Sequence, residues 1–403
     1  MTEVKEGYII DYISGQQLKA TPEEVEAVQV FARVLVEDYG YPKAYIQTRP
    51  QFHVKVRPSD LIKEYPVDIA VFSDTDKTDN SIFIIVECKK KNRRDGRTQL
   101  ENYMTLSKAQ LGVWFNGEER FYIQKFNTSD GRVEFKEIPN IPKFGEGLDS
   151  IGAKKRRDLA PTHNLKSVFK SIRGFLVGNA TGTNRDEIIA QQLINLIFCK
   201  IYDEKFSRAD DVVKFRVGID ESDEVVIDRI HRLFDSVKTK YSEVIEISDK
   251  ITLDAKGLRY VIGELQNFCL IESQRDVIAD AFETFIDGAL KGGEGQFFTP
   301  RNVVKLLVDL IDPKPNELII DPACGTGGFL VESLRHIWDH LEKDAVSFGW
   351  NELALAEEKN SSAIKCIRGV EKDEFLCKVT KAYMAILGDG KGGICCENSL
   401  DLP

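Results

Sequence analysis

Glu87 and Lys89, in the run SIFIIVECKK, are the residues whose types and spacing most directly point to chemistry. Two positions apart on a strand, they project to one face while Cys88 points to the other. If Asp68 of the preceding run VDIAVFS lies beside Glu87, two carboxylates converge with an ammonium. Hard oxygen ligands of that kind suit Mg²⁺. A cation held there would neutralise charge on an attacked phosphate and acidify a water, and Lys89 would position that water or stabilise the pentacovalent oxygens. Those are the needs of phosphodiester hydrolysis. Taken alone, an Asp followed by Glu-x-Lys also describes a solvated pair on a half-exposed strand edge.

A second group of residues stands in NELIIDPACGTGGFLVESLRHIWDHL. An apolar run ends in Asp321, a glycine-rich turn follows, and then an amphipathic helix, the strand, loop and helix order of a nucleotide-type α/β fold. Gly325 and Gly327 allow close backbone approach. Such a turn would hold the amino-acid end of a cofactor, with Asp321 facing an ammonium and the helix N-terminus facing a carboxylate. Downstream, CIRGV leads into Glu371, placed to accept hydrogen bonds from ribose hydroxyls. Its separation from Asp321 exceeds the roughly 20 residues of the dinucleotide pattern, and an insert from about 340 to 362 accounts for the excess. His336 and His340 are four apart on the same helix but lack a third zinc ligand, and are read as surface histidines beside Trp338.

Several elements must position these residues. Thr21-Pro22-Glu23-Glu24 reads as a helix start, with Thr21 as N-cap and Glu24 placed to close a capping box. Val25, Val28, Phe31, Ala32, Leu35, Val36 and Tyr39 recur at three- and four-residue steps, and Gly40 ends the helix. QFHVKV, VDIAVFS and SIFIIVECKK then predict strands of an antiparallel or mixed sheet. The basic run KKKNRRDGR, from Lys89 to Arg97, is a solvated loop or, being next to the carboxylates, a contact for a nucleic-acid backbone; adjacency favours the latter. PNIPKFGEGLDSIG reads as a linker, after which helical periodicity dominates. Lys154-Lys155-Arg156-Arg157 at its entrance reads first as solvated. The expected organisation is three modules, residues 1–145, 146–290 and 291–403.

Asp68, Glu87-Cys88-Lys89 and the Gln99…Tyr103 pair in QLENY resemble the PD-(D/E)XK nuclease superfamily, in particular its type I restriction branch. The third element turns the balance away from a solvated edge pair. TPEE, GYP and GVWFNGEERFYIQKF extend the likeness to the N-terminal domain of type I restriction subunits across nearly the whole first module. The resemblance implies a catalytic set of Asp68, Glu87, Lys89, Gln99 and Tyr103, with Mg²⁺ at Asp68, Glu87 and Cys88. It also implies an acidic residue on the first helix; Glu24 is the match, with its capping role the competing reading.

The string Asp-Pro-Ala-Cys-Gly-Thr-Gly-Gly-Phe resembles the first motif of amino-methyltransferases acting on adenine N6, and GQFFTP resembles their cofactor-cradling motif. What this implies is S-adenosylmethionine binding by Phe297, Thr299, Pro300, Asp321, Ala323, Gly325, Gly327 and Glu371. Asn398 in ICCENSLDLP stands where the family usually has an Asp, a departure that puts cofactor affinity in doubt. For Thr299 and Pro300 a plain helix start, with Thr299 as N-cap, is the parallel reading. The helical segment before this domain is similar to type I methyltransferase subunits. The expected fold class is therefore α/β: a PD-(D/E)XK nuclease fold, a helical middle, and the start of a Rossmann-like S-adenosylmethionine-dependent domain.

The family's catalytic Asn-Pro-Pro followed by an aromatic is missing from this sequence, as are a target-recognition domain and the GxxxxGK[ST] of a translocation motor. An N-terminal part of a longer chain is the simplest account. A net charge of −10 excludes a uniformly basic coat, leaving local patches to meet DNA. Eight cysteines without a CxxC pair, and no apolar leader or spanning run, imply a reduced, cytoplasmic protein without a membrane role. The expected function is restriction-modification, a type II-like endonuclease joined to an adenine-specific DNA methyltransferase. Its expected partners are double-stranded DNA and a specificity subunit or a target-recognition domain outside this chain. The alternatives are an adenine methyltransferase with an inactive nuclease domain, and a non-catalytic scaffold for DNA or partners.

Overall fold

The computed structural model describes residues 4–55, 63–162, 164–179, 186–272, 299–387 and 393–401. The chain divides into two compact units, one of Met1–Gly182, Asp203–Arg229 and Leu253–Ser273, the other of Thr183–Tyr202, Ile230–Thr252 and Gln274–Pro403. The helical stretch after residue 146 contributes to both.

In the first unit, β1 (Tyr8–Ile10) and β2 (Gln17–Lys19) pair as a short ribbon ahead of helix α1 (Gln29–Glu37). Strand β3 (Ile46–Gln47) follows, then β4 (Phe52–Lys55) and β5 (Lys63–Val67), which among the described residues pair with each other alone. The run QFHVKV thus builds a separate ribbon, not a strand of the main sheet. That sheet contains β3, β6 (Ile69–Phe72), β7 (Ile82–Cys88), β8 (Leu111–Phe115), β9 (Arg120–Asn127) and β10 (Val133–Ile138), in the order β10-β9-β8-β7-β6-β3. It is mixed: β7 and β8 are parallel, the other neighbours antiparallel. A parallel pair needs a crossover, and α2 (Arg97–Thr105) supplies it.

Alternation along β7 separates the two faces. Ile84, Val86 and Cys88 pack with Phe31, Ala32 and Leu35 of α1, whereas Ile85 packs with Leu100, Tyr103 and Met104 of α2. Each large apolar side chain fully buried this way contributes about 1.5–3 kcal/mol. Helix α2 lies close on β8, where a β-carbon at Gly112 would run into Met104 Sδ and approach Leu100 to 3.2 Å.

The predicted face of α1 is largely as expected: Val28, Phe31, Ala32, Leu35 and Tyr39 are buried, and Val25 is exposed. A wide π-turn at Glu24–Val28 leads into the helix and rotates Val25 out of the stripe. Asn140, in the stretch expected to be a linker, accepts from Tyr39 and donates to Gly263 O (2.8 Å), while Ile141 and Ile151 are buried. This proline-rich stretch is packed within the first unit, its Asn140 side chain bridging the Tyr39 hydroxyl and the Gly263 carbonyl. Beneath it, Arg120 and Glu264 form a buried ion pair that Tyr122 joins at 3.0 Å.

Helices α3 (Leu165–Asn179), α4 (Asp186–Phe206), α5 (Asp223–Lys240) and α6 (Ala255–Leu265) make up the middle of the chain. The second unit continues with α7 (Arg301–Ile311), β11 (Ile319–Asp321), α8 (Gly328–Phe348), α9 (Glu352–Cys366), β12 (Ile367–Glu371), α10 (Glu374–Leu387) and β13 (Ile394–Cys396). Its strands form a parallel sheet in the order β11-β12-β13. The expected insert is the end of α8 together with α9, which lengthens the crossover from β11 to β12. Within this unit Lys378 pairs with Asp249 at 2.5 Å. Among the described residues no helix is long and apolar enough to cross a membrane.

Candidate functional site

The register pairs Ile69 with Val86, which sets Asp68 beside Glu87 at the end of β7. Asp68 Oδ2 accepts from Cys88 N at 2.8 Å. Glu87 and Lys89 share the α2 face and form an ion pair, both side chains being largely buried. Lys89 Nζ also donates to Gln99 Oε1 at 3.3 Å, and Gln99 Nε2 donates to the Tyr103 hydroxyl at 2.7 Å. One turn of α2 separates Gln99 from Tyr103, so both reach the strand from one side. The five residues singled out from sequence therefore come together in one connected cluster.

Burial dominates the electrostatics of this cluster. It pushes Asp68 up to about 6, against the hydrogen bond from Cys88 N. Burial and the neighbouring Asp68 push Glu87 up to about 7, against the pull of Lys89. Burial opposes the charge of Lys89 as well, but the hydrogen bond and charge of Glu87 hold its ammonium above the ordinary range. Among the described residues, buried Glu87 Oε2 finds no hydrogen-bond partner. The Cys88 thiol lies in the core on the α1 side, where burial pushes its pKa well up, so Cys88 touches the cluster only through its backbone.

The Glu24 side chain does not take the capping role. Thr21 Oγ1 does accept from Glu24 N, at 3.2 Å, but the Glu24 carboxylate binds Gln29 Nε2 at 2.8 Å and Arg49 at 2.7 Å. It forms no side-chain cap hydrogen bond and so closes no capping box. Glu23 is the acidic neighbour whose charge raises both Asp68 and Glu87. Sequence reasoning passed it over because the π-turn, which sets the facing of the helix start, leaves no mark in the residue pattern. The basic loop is held by acids: Lys91 by Glu118, Arg93 by Asp95, Arg94 by Glu119, and Arg97 by Glu101 and Glu137. Lys154 pairs with Glu146, and Arg156 with Glu272.

In the second unit the glycine turn sits at the ends of β11 and β12. Ala323 N donates to Asp321 Oδ1 (3.1 Å), and Glu371 accepts from Gly325 N and Asp373 N, both at 2.8 Å. Thr380 donates to Gly325 O at 2.6 Å. Gly327, at φ +82°, packs where a β-carbon would meet Thr380 Cγ2 at 2.7 Å, whereas open space faces Gly325. Asn398 closes a terminal turn, donating to Asp401 (2.9 Å) and accepting from Leu400 N (3.2 Å). Phe297 lies outside the described residues. The cap of α7 is Pro300, without a side-chain cap bond, so Thr299, the expected N-cap, stands one residue before the observed one. His336 and His340 are not merely surface histidines beside Trp338: Asp312, distant in sequence, reaches both at 2.8 Å.

The family model for the N terminus of type I restriction enzyme R proteins matches residues 22–142, and that for N-6 DNA methylases matches 273–401. The chain is 39% identical over 109 residues to the type I restriction enzyme EcoEI methylase subunit of Escherichia coli, covering 27% of this chain and 21% of that one. It is 25% identical over 127 residues to the type II restriction enzyme and methyltransferase RM.BcgI of Heyndrickxia coagulans, covering 31% and 18%. A solved chain of a type I R-M system aligns with a TM-score of 0.41 and 18% identity, covering 58% of this chain and 51% of the other. The matches span only about a fifth to a third of the first curated relatives' length.

Proposed function

We propose that this chain, which carries a type I restriction R-protein N-terminal domain ahead of an N-6 DNA methylase domain and so fits a restriction-modification protein, cleaves double-stranded DNA with the first unit and binds S-adenosylmethionine for adenine methylation with the second. The observation that carries the cleavage half is the connected cluster of Asp68, Glu87, Lys89, Gln99 and Tyr103 on one face of a mixed sheet. On this reading the first unit contains a PD-(D/E)XK domain covering about 1–145, and the parallel sheet of the second is Rossmann-like.

The residues fit Mg²⁺: two adjacent carboxylates are buried together, and Glu87 Oε2 has no partner among the described residues. Asp68, Glu87 and the Cys88 backbone would hold the ion, which would neutralise charge on the phosphate. Lys89 directs its ammonium at the same locus, where it stabilises charge gathering on the phosphoryl oxygens. Gln99 holds Lys89 in place, and Tyr103 fixes Gln99 in turn. Glu24 is the first-helix acid that the family pattern offers to the site, and Glu23 is the neighbour whose charge reaches both carboxylates.

For S-adenosylmethionine, the open space facing Gly325 and the backbone of Ala323 to Gly327 form the cradle. Asp321 faces the ammonium, and Glu371 retains lone pairs for the ribose hydroxyls. Phe297, Thr299 and Pro300 would border the methionine moiety and Asn398 the adenine. A specificity subunit or target-recognition domain would complete DNA recognition.

The test is cleavage of unmethylated DNA in Mg²⁺, with and without S-adenosylmethionine, by wild type and Lys89→Ala. Cleavage that disappears in Lys89→Ala, with S-adenosylmethionine binding unchanged, is the expected result. If wild type binds the cofactor and DNA but never cuts, the first unit is an inactive relative and the nuclease assignment fails.

A further inference from the structure

We propose that Asp312, His336 and His340 form a binding site for a transition-metal dication, zinc foremost, that clips α7 to α8. This stands apart from both the cleavage cluster and the cofactor turn.

The two histidines lie one helical turn apart and so share a face of α8. Each Nε2 is 2.8 Å from the same atom, Asp312 Oδ1, and the three ligand atoms lie within 4.8 Å of one another. Asp312 is the residue that ends α7, in the left-handed conformation at φ +50°, so the aspartate is delivered by the turn rather than by the helix. On the far side of His336, Asp309 Oδ1 lies 3.5 Å from Nδ1. Brought to hydrogen-bond distance as the ring turns toward an ion, a carboxylate on that side would hold the proton on Nδ1 and leave Nε2 free for a metal.

Zinc bonds of about 2.0–2.2 Å in a tetrahedral array place ligand atoms somewhat more than 3 Å apart. Opening these contacts by about half an ångström would therefore admit the ion. Two imidazoles and one carboxylate favour zinc over magnesium or calcium, which prefer all-oxygen shells. The side chains are 20%, 25% and 45% exposed for His336, His340 and Asp312, which leaves an open side for water as the fourth ligand. Lys314 already brings a cation here: its ammonium pairs with Asp312 and lies 3.4 Å from His340 Nε2. That half-exposed side chain can swing out when a dication arrives.

The experiment is titration of the 403-residue chain carrying Glu87→Gln, which disables the ion site proposed at Asp68 and Glu87, with Zn²⁺ against a chromogenic chelator, repeated with Co²⁺ for its visible spectrum. One equivalent should bind, with Co²⁺ bands lacking thiolate charge transfer. Asp309→Asn should weaken binding about tenfold, His336→Ala and His340→Ala more than that, and Lys314→Met should tighten it. Melting of each variant without metal checks that it folds. Absence of saturable binding would overturn the proposal. So would binding that survives in the double histidine variant, or that disappears only when the exposed Cys395 and Cys396 are changed to Ser.

Discussion

Glu87→Gln should make the protein more stable while destroying the proposed cleavage activity, and more so at alkaline pH. Burial and Asp68 raise the Glu87 carboxyl from its ordinary 4.5 to about 7. The folded state therefore holds a proton that the unfolded chain releases between these values. The associated stability is complete below about pH 4 and is lost as pH rises through 7. For the ionised side chain the loss amounts to about 3 kcal/mol at pH 8 and under about 1 kcal/mol at pH 5. These figures already contain the attraction of Lys89, and the glutamine of the variant still offers a carbonyl to that ammonium. At about 2–4 °C per kcal/mol for a unit of this size, Tm should rise about 6–12 °C at pH 8 and about 2–3 °C at pH 5. Differential scanning calorimetry at the two pH values measures both. A variant that melts no higher than wild type at pH 8, or that gains the same margin at both pH values, would refute the reasoning.

Arg120→Met should cost about 3–5 kcal/mol, because it strands Glu264 as an uncompensated buried charge; chemical denaturation would show no loss if the pair were dispensable. Gly327→Ala, at φ +82° and against Thr380, should distort the turn and weaken S-adenosylmethionine binding in calorimetric titration, leaving the melting of the first unit unchanged. Gln99→Leu should slow cleavage with little change in Tm, since it frees Lys89 without disturbing the ion pair with Glu87; equal rates would remove Gln99 from the site.

The parts of this protein legible in sequence are those governed by local periodicity. Alternation along β7 placed Glu87 and Lys89 together and Cys88 opposite, and a one-turn spacing placed Gln99 with Tyr103. The helical spacing found most of the buried face of α1. What escaped depends on contacts remote in sequence. Arg49 pairs with Glu24, Gly263 binds Asn140 in the supposed linker, and Asp312 joins histidines 24 and 28 residues away. No residue type at positions 24, 140 or 312 marks these partners, because they are chosen by how the sheets and helices pack.

Gly112 carries a consequence of the same kind. The height of α2 above the sheet is set there by the lack of a side chain, and Gln99 rides on that helix. An alanine at 112 would act as a shim beneath Met104 and Leu100, lifting Gln99 off its 3.3 Å contact with Lys89. The reach of the candidate catalytic lysine is thus gauged by a residue that contributes no atom to the site.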